Sequence, residues 1–171
     1  MLRLVALGVV FIAAVALADD LIIKPKTTSS GPKAIALLFA PGFGIGPGAY
    51  EPLLSTLQSL VEQDGTKALW VGCPQMNGNI TTVGLEGALK KLAAKMTDAG
   101  LPADHGTLYS GHSVGGALLP YIVRKPDNMA EGFNSPEGMM LLASFLVREF
   151  RTEAVADKGP GQYEFPTSVL T

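Results

Sequence analysis

The sequence predicts an α/β fold, a mostly parallel sheet with helices on both faces. Two observations carry that expectation. Short apolar runs of strand length recur along the chain, and segments with apolar residues every three or four positions separate them. Such alternation gives parallel strands joined by crossover helices, because a parallel neighbour cannot be reached through a tight hairpin.

The elements follow in order. Leu21, Ile22, Ile23 and Lys24 read as a short strand before a polar turn at 27–32. The run 34–39 is apolar throughout, as a strand buried on both faces requires. A glycine-rich loop, 41–48, comes next. Helical spacing then appears at Leu53, Leu54, Leu57, Leu60 and Val61, with Pro52 in the first turn where its missing N–H is harmless. Asp64 and Gly65 are expected to end that helix.

Residues 68–71 form the second buried strand. Leu85, Leu89, Leu92 and Met96 mark a second helix, while Lys90, Lys91 and Lys95 stay off its stripe. Gly100 suits its C-terminal cap. A third strand is expected over 107–110, a third helix over 115–123 and a fourth strand over 139–143. Pro120 removes a bond to Gly116 and implies a kink or a short helix. Residues 168–171 open one more strand, and no repeat is present.

The first 18 residues read as a targeting segment rather than as part of the fold. Arg3 supplies a basic start, 4–15 is apolar apart from Gly8, and Ala16-Leu17-Ala18 offers small residues at a cleavage site. The run falls short of the about 20 apolar residues that span a bilayer. A secretory signal cleaved after Ala18 is expected, with an uncleaved anchor as the alternative. Residues 19–171 are then the N-terminal and central part of one domain, secreted and with no stable membrane span.

Composition narrows the partners. A net charge of −2 over 171 residues argues against nucleic acid, which needs clustered Lys and Arg. Cys73 is the single cysteine, so no intrachain disulfide forms, and its place at the end of an apolar run suits a buried inert thiol. Asn79-Ile80-Thr81 is an N-glycosylation sequon in an expected loop. No cofactor and no metal are expected.

Chemistry concentrates at Gly111-His112-Ser113-Val114-Gly115, which follows the third strand and opens the third helix. This is the context a G-x-S-x-G nucleophile elbow requires. The turn is sharp, so the positions two before and two after the serine must be small, and Gly111, Gly115 and Gly116 meet that demand. Its geometry lifts the Ser113 hydroxyl above the sheet, near the positive end of a helix and at the carboxyl ends of the strands, where ligands sit. The plain alternative is a tight strand-to-helix turn. An oxyanion hole would take one donor from the Val114 N–H and the second from the glycine-rich loop after 34–39. Each such donor contributes about 2.7–4 kcal/mol.

Gly111-His112-Ser113-Val114-Gly115-Gly116 resembles the G-H-S-x-G-G elbow of α/β-hydrolase esterases and lipases, including their platelet-activating-factor acetylhydrolase-like and chlorophyllase-like branches. The resemblance covers about residues 33 to 171. Pro41-Gly42-Phe43 is similar to that family's His-Gly-x oxyanion segment, with proline in place of histidine, and implies that Phe43 gives the second N–H. In the family, the catalytic acid follows a later strand and the histidine comes later still.

Only two histidines are available here. His112 is the variable residue of the elbow, facing away from the nucleophile. His105 precedes the strand and lies roughly 20 Å from Ser113 at about 3.3 Å per residue. A general base must come within about 3 Å of the hydroxyl, so neither qualifies. Glu149 follows the fourth strand and could imitate an acid used by some lipase relatives, although a solvated surface charge is the plainer reading.

The expectation is therefore a partial α/β-hydrolase fold, truncated before its acid and histidine. Its function would be serine-dependent carboxylic-ester hydrolysis of a small-molecule or lipid ester, weak or absent in this chain. A non-catalytic acyl-ligand-binding protein of the same fold is the alternative. Acyl transfer to an acceptor other than water is a third reading that the sequence does not separate from hydrolysis.

Overall fold

A computed structural model of the chain describes residues 19–26, 33–125, 129–144 and 167–170. The expected signal over 1–18, the polar turn at 27–32 and Glu149 lie outside the described residues. In chain order the elements are β1 (Leu21–Ile23), β2 (Lys33–Ala40), α1 (Glu51–Val61), β3 (Lys67–Cys73), α2 (Leu85–Asp98), β4 (Gly106–His112), α3 (Val114–Val123), β5 (Gly138–Leu142) and β6 (Thr167–Leu170). Short 3-10 turns at Pro47–Tyr50 and Asn77–Asn79 interrupt the connecting loops.

The strands form one sheet in the order β1-β3-β2-β4-β5-β6. Every pairing from β3 to β6 is parallel, and β1 alone runs antiparallel, with Leu21 opposite Cys73. This is the mostly parallel sheet expected from the apolar runs. Side chains alternate across it, as the strand period of two dictates. Ala36 and Leu38 of β2 share one core with Leu89, Leu92 and Met96 of α2 and Leu119 of α3. Ile35, Leu37 and Phe39 share the opposite core with Tyr50 and Leu54 beside α1. Helices therefore cover both faces.

Helix boundaries follow local chemistry. At the end of α2, Gly100 takes φ 104° and the Leu101 N–H reaches the Met96 carbonyl at 3.1 Å. That is the glycine-terminated cap expected there. The α1 helix stops at Val61, ahead of Asp64 and Gly65. Its expected stripe is also narrower than the sequence suggests: Leu54 is buried and Leu57 and Val61 half-buried, while Leu53 and Leu60 are exposed. The inward place between them belongs to a polar residue. Gln58 is buried, and its amide donates to the Leu69 carbonyl at 2.7 Å and the Lys24 carbonyl at 3.0 Å. One side chain thus ties α1 to β3 and to the end of the antiparallel edge strand.

Pro120 sits inside α3, which continues past the missing bond to Gly116 as far as Val123. Cys73 is fully buried, and burial pushes its thiol far above the usual range, so it stays protonated and inert. An apolar recess of about 280 Å³ opens beside α1, lined by Ile35, Leu57, Leu69, Leu108, Gly138 and Met140. It lies toward the N-terminal ends of the strands, away from the turn at Ser113. No helix among the described residues is long and apolar enough to cross a membrane.

Replacing Gln58 with Met keeps the volume and deletes the amide bonds, leaving the Lys24 carbonyl short of a donor. Chemical denaturation is expected to show a loss of about 1–3 kcal/mol. An unchanged midpoint would show that α1 and β1 are held by packing alone.

Candidate active site

The parallel strands β2, β3, β4 and β5 all end on the same side of the sheet. Ala40 pairs with Gly111, and His112 pairs with Leu142, so three strand ends surround the residues 112–114. Between β4 and α3 the chain has a single residue in which to reverse, and that residue is Ser113. It takes φ 51° and ψ −124°, a backbone state that costs a residue with a Cβ about 1–3 kcal/mol.

Hydrogen bonds hold the serine there. Its N–H donates to the Leu142 carbonyl at 3.0 Å. Its carbonyl accepts from the Ser144 hydroxyl at 2.6 Å and from the Ala117 N–H at 3.1 Å. Ala143, between those two clamping residues, itself has φ 42°. Among the described residues, the third non-glycine with positive φ is Asn79, at 57°. All three border this one end of the sheet.

The glycines around Ser113 are required by contact. A Cβ on Gly111 would lie 2.7 Å from backbone atoms of Gly116, and one on Gly116 would lie 2.7 Å from the Gly111 carbonyl oxygen. At Gly115 it would run into the carbonyls of Ala40 and Pro41. The start of α3 is thus pressed against the start of the loop that follows β2. Val114, as the first residue of α3, has an N–H that the helix itself does not use.

That loop is held from several sides. The Gly42 N–H donates to the Tyr50 hydroxyl at 2.8 Å, and the Tyr50 hydroxyl is 3.0 Å from Nδ1 of His112. Burial pushes the Tyr50 phenol upward, so it keeps its proton and can donate it to that nitrogen. The buried Thr81 hydroxyl donates to the Gly42 carbonyl at 3.1 Å, and the Gly44 N–H donates to the Asn79 carbonyl at 2.8 Å. Between these anchors, the Phe43 N–H has no acceptor among the described residues, and the Phe43 side chain is exposed.

The structure brings Ser113, Val114, Gly111 and Gly115 to one turn, with the Phe43 loop beside it. It does not bring the histidines to the Ser113 hydroxyl. His105 lies just before β4 at the opposite end, where its Nδ1 is 2.7 Å from the Pro102 carbonyl and its ring packs on Phe133. His112 is turned to Tyr50. Asn79 is half-buried rather than fully exposed, and its Oδ1 accepts from the Gln75 amide at 2.9 Å. The sequon's threonine, Thr81, is fully buried.

No family model matches the sequence, and no curated protein is similar to it. Solved structures are. Acyl-protein thioesterase 2 from Zea mays is 15% identical with a TM-score of 0.51, over 88% of this chain and 74% of that one. The chain has a partial α/β-hydrolase fold. Esterase 2 from Thermogutta terrifontis, in its form phosphonylated by cyclosarin, is 16% identical with a TM-score of 0.45, over 75% of this chain and 52% of that one. Carboxyl esterase 2 from Tuber melanosporum is 17% identical with a TM-score of 0.47, over 73% of this chain and 40% of that one. The chain spans about half the length of the first of these esterases.

In this hydrolase fold, the end of the sheet where Ser113 sits can offer a hydroxyl, a helix N-terminus and free backbone N–H groups. Sequence reasoning found the serine and the glycines but missed Tyr50, Thr81, Ala143 and Ser144. Thr81 and Ser144 bond backbone atoms far away in sequence, Tyr50 links the Gly42 N–H to His112, and Ala143 shows itself only by its φ, so no residue pattern announces them.

The strain at Ser113 has a measurable consequence. Ser113→Gly is expected to raise unfolding stability by about 1 kcal/mol, since relief of positive φ exceeds the entropy glycine adds to the unfolded chain. Gly115→Ala, which meets backbone carbonyls, is expected to lower the thermal midpoint sharply. A Ser113→Gly variant less stable than the native chain would contradict the strain reading.

Proposed function

We propose that Ser113 is the nucleophile of a serine-dependent carboxylic-ester hydrolase. The observation that carries this reading is the Ser113 backbone, held at positive φ between a strand and a helix with contact-required glycines on either side. Proteins keep such strain where the residue's position does something, because an ordinary turn would relieve it. Ser113 Oγ attacks the acyl carbonyl carbon, and the N–H groups of Val114 and Phe43 receive the oxyanion. The carbon–oxygen bond to the alcohol then breaks, the alcohol leaves with a proton, and water releases the acid from the serine ester.

An acyl chain suits the surroundings. Of five large apolar side chains exposed among the described residues, Phe43, Ile80 and Val83 lie on the two loops joined by the Gly44–Asn79 bond. They would give a small-molecule or lipid ester an apolar rim next to the serine. Both described histidines are engaged elsewhere, at Pro102 and at Tyr50. That favours a second reading, an acyl-binding protein in which the serine holds a ligand without turnover.

A fluorophosphonate probe separates the two. On the hydrolase reading it labels wild-type protein at Ser113 and leaves Ser113→Ala unlabelled. p-Nitrophenyl acetate turnover should be slow, because a positioned base supplies about 10²–10⁴-fold and no described residue fills that role. Absence of label assigns the chain to the binding reading. Fast turnover abolished by Ser113→Ala would mean that a base acts from outside the described residues.

We also infer that the chain enters the secretory route and is cut after Ala18, on the strength of the basic start, the apolar run and the small residues before Asp19. Mass spectrometry of the mature N-terminus should begin at Asp19. Recovery of intact Met1 on exported protein would overturn it.

A further inference from the structure

We propose that Thr81 and Tyr50 are positioning residues that aim the Phe43 N–H, an inference that rests on the Ser113 reading above. A peptide unit is planar, and all the described ones are trans. The Gly42 carbonyl and the Phe43 N–H are therefore opposite ends of one rigid plate. Thr81 holds one end: its hydroxyl donates to the Gly42 oxygen at 3.1 Å, and full burial leaves that side chain no other place to go. Fixing the carbonyl toward Thr81 turns the Phe43 N–H the opposite way.

The preceding plate is fixed as well. The Gly42 N–H donates to the Tyr50 hydroxyl at 2.8 Å. The Tyr50 ring is buried, with its centroid 4.7 Å from that of Phe39, so the acceptor cannot follow a moving loop. The phenol that accepts from Gly42 lies 3.0 Å from Nδ1 of His112, and on this proposal it donates its own proton there, with His112 as the tautomer protonated at Nε2. His112 directly precedes Ser113. One relay of hydrogen bonds thus joins the residue before the nucleophile to the loop that carries the second donor.

Contact enforces the same arrangement. A Cβ on Gly42 would lie 2.6 Å from His112 Nδ1 and 3.1 Å from the Tyr50 oxygen. Only glycine lets the loop come close enough for both bonds. Past Phe43, the Gly44 N–H is tied to the Asn79 carbonyl, so the Phe43 amide lies between anchored neighbours. A donor that must receive a developing charge benefits from being fixed beforehand, since no reorganisation is then left for the reaction itself.

The test is the rate of fluorophosphonate labelling in the full chain, since the phosphonyl oxygen needs the same donors as an ester. Thr81→Val keeps the buried shape and removes the hydroxyl; it should slow labelling about tenfold or more. Thr81→Ser, which restores the hydroxyl, should recover most of the rate, and Tyr50→Phe should be slow like Thr81→Val. Near-ultraviolet circular dichroism and the thermal midpoint report whether each variant is folded. A folded Thr81→Val that labels at the wild-type rate overturns the clamp and leaves the Ser113 reading standing. If Thr81→Val does not fold, Tyr50→Phe decides on the same measurement.

If the wild-type chain takes no label, the Ser113 reading fails, and nitrogen-15 NMR judges the clamp by itself. The expected signature is an unprotonated Nδ1 on His112 and slow exchange of the Gly42 amide, both lost in Tyr50→Phe. Equal Gly42 exchange in the two proteins would overturn the clamp.

Discussion

The close approach of α3 to the end of β2 is the contact on which the candidate site depends. Gly115 sits against the carbonyls of Ala40 and Pro41, and those atoms are fixed by the pairing of Ala40 with Gly111 in the sheet. A methyl group there cannot be accommodated by turning a side chain, because backbone would have to move and the β2–β4 register with it. The helix can start so close to the strand only if the reversal from β4 is completed within one residue. That residue is Ser113, and its positive φ follows from the contact.

The strain is distributed, and each part of it is held by bonds from another part of the chain. Leu142 and Ser144 grip the two polar groups of the Ser113 backbone, and the residue between them, Ala143, is pushed to φ 42° in doing so. Asn79 takes φ 57° where its carbonyl receives the Gly44 N–H. At about 1–3 kcal/mol each, these three residues together use up a sizeable fraction of an ordinary domain's net stability. Two cores, one on each face of the sheet, must offset it. The polar groups at the strand ends therefore cannot be understood apart from the packing beneath them.

How legible all this was in the sequence depends on where each signal resides. Strands β2 and β3 were readable because burial on both faces demands uninterrupted apolar residues, and α2 because its stripe and its lysines separate cleanly. The direction of β1 was not readable, since three apolar residues carry no information about which neighbour they pair with. Leu53 and Leu60 looked like core residues and are exposed, because Gln58 takes the inward position and satisfies itself on the carbonyls of Lys24 and Leu69. Ser113 and its glycines were visible through steric necessity. Thr81 and Ser144 were hidden because each acts on the backbone of a segment dozens of residues away, and Tyr50 because it joins the nearby Gly42 N–H to a side chain 62 positions on, relations fixed only once the strands are in register. Asn79 shows the same limit from the other side. Its sequon is local and was read at once, whereas its grip on the Gly42–Gly44 loop is tertiary.

The balance between binding and turnover at such a site can be argued from magnitudes. Two aimed N–H groups contribute about 2.7–4 kcal/mol each to holding an oxyanion, and they do so whether or not a base is present. A base adds about 10²–10⁴-fold, or roughly 3–5 kcal/mol at 1.36 kcal/mol per tenfold. On the proposed reading, the donors and the base come from different parts of the architecture: the donors from the β2 loop and the start of α3, the base from whatever side chain reaches Ser113 Oγ. His112 faces Tyr50, whose hydroxyl also receives the Gly42 N–H of the loop that carries Phe43. If the proposed reading holds, the histidine adjacent to the serine helps to shape where the negative charge rests and takes no part in removing the proton. On the proposed reading, oxyanion binding and proton removal are separable, and the described residues offer backbone N–H groups for the first.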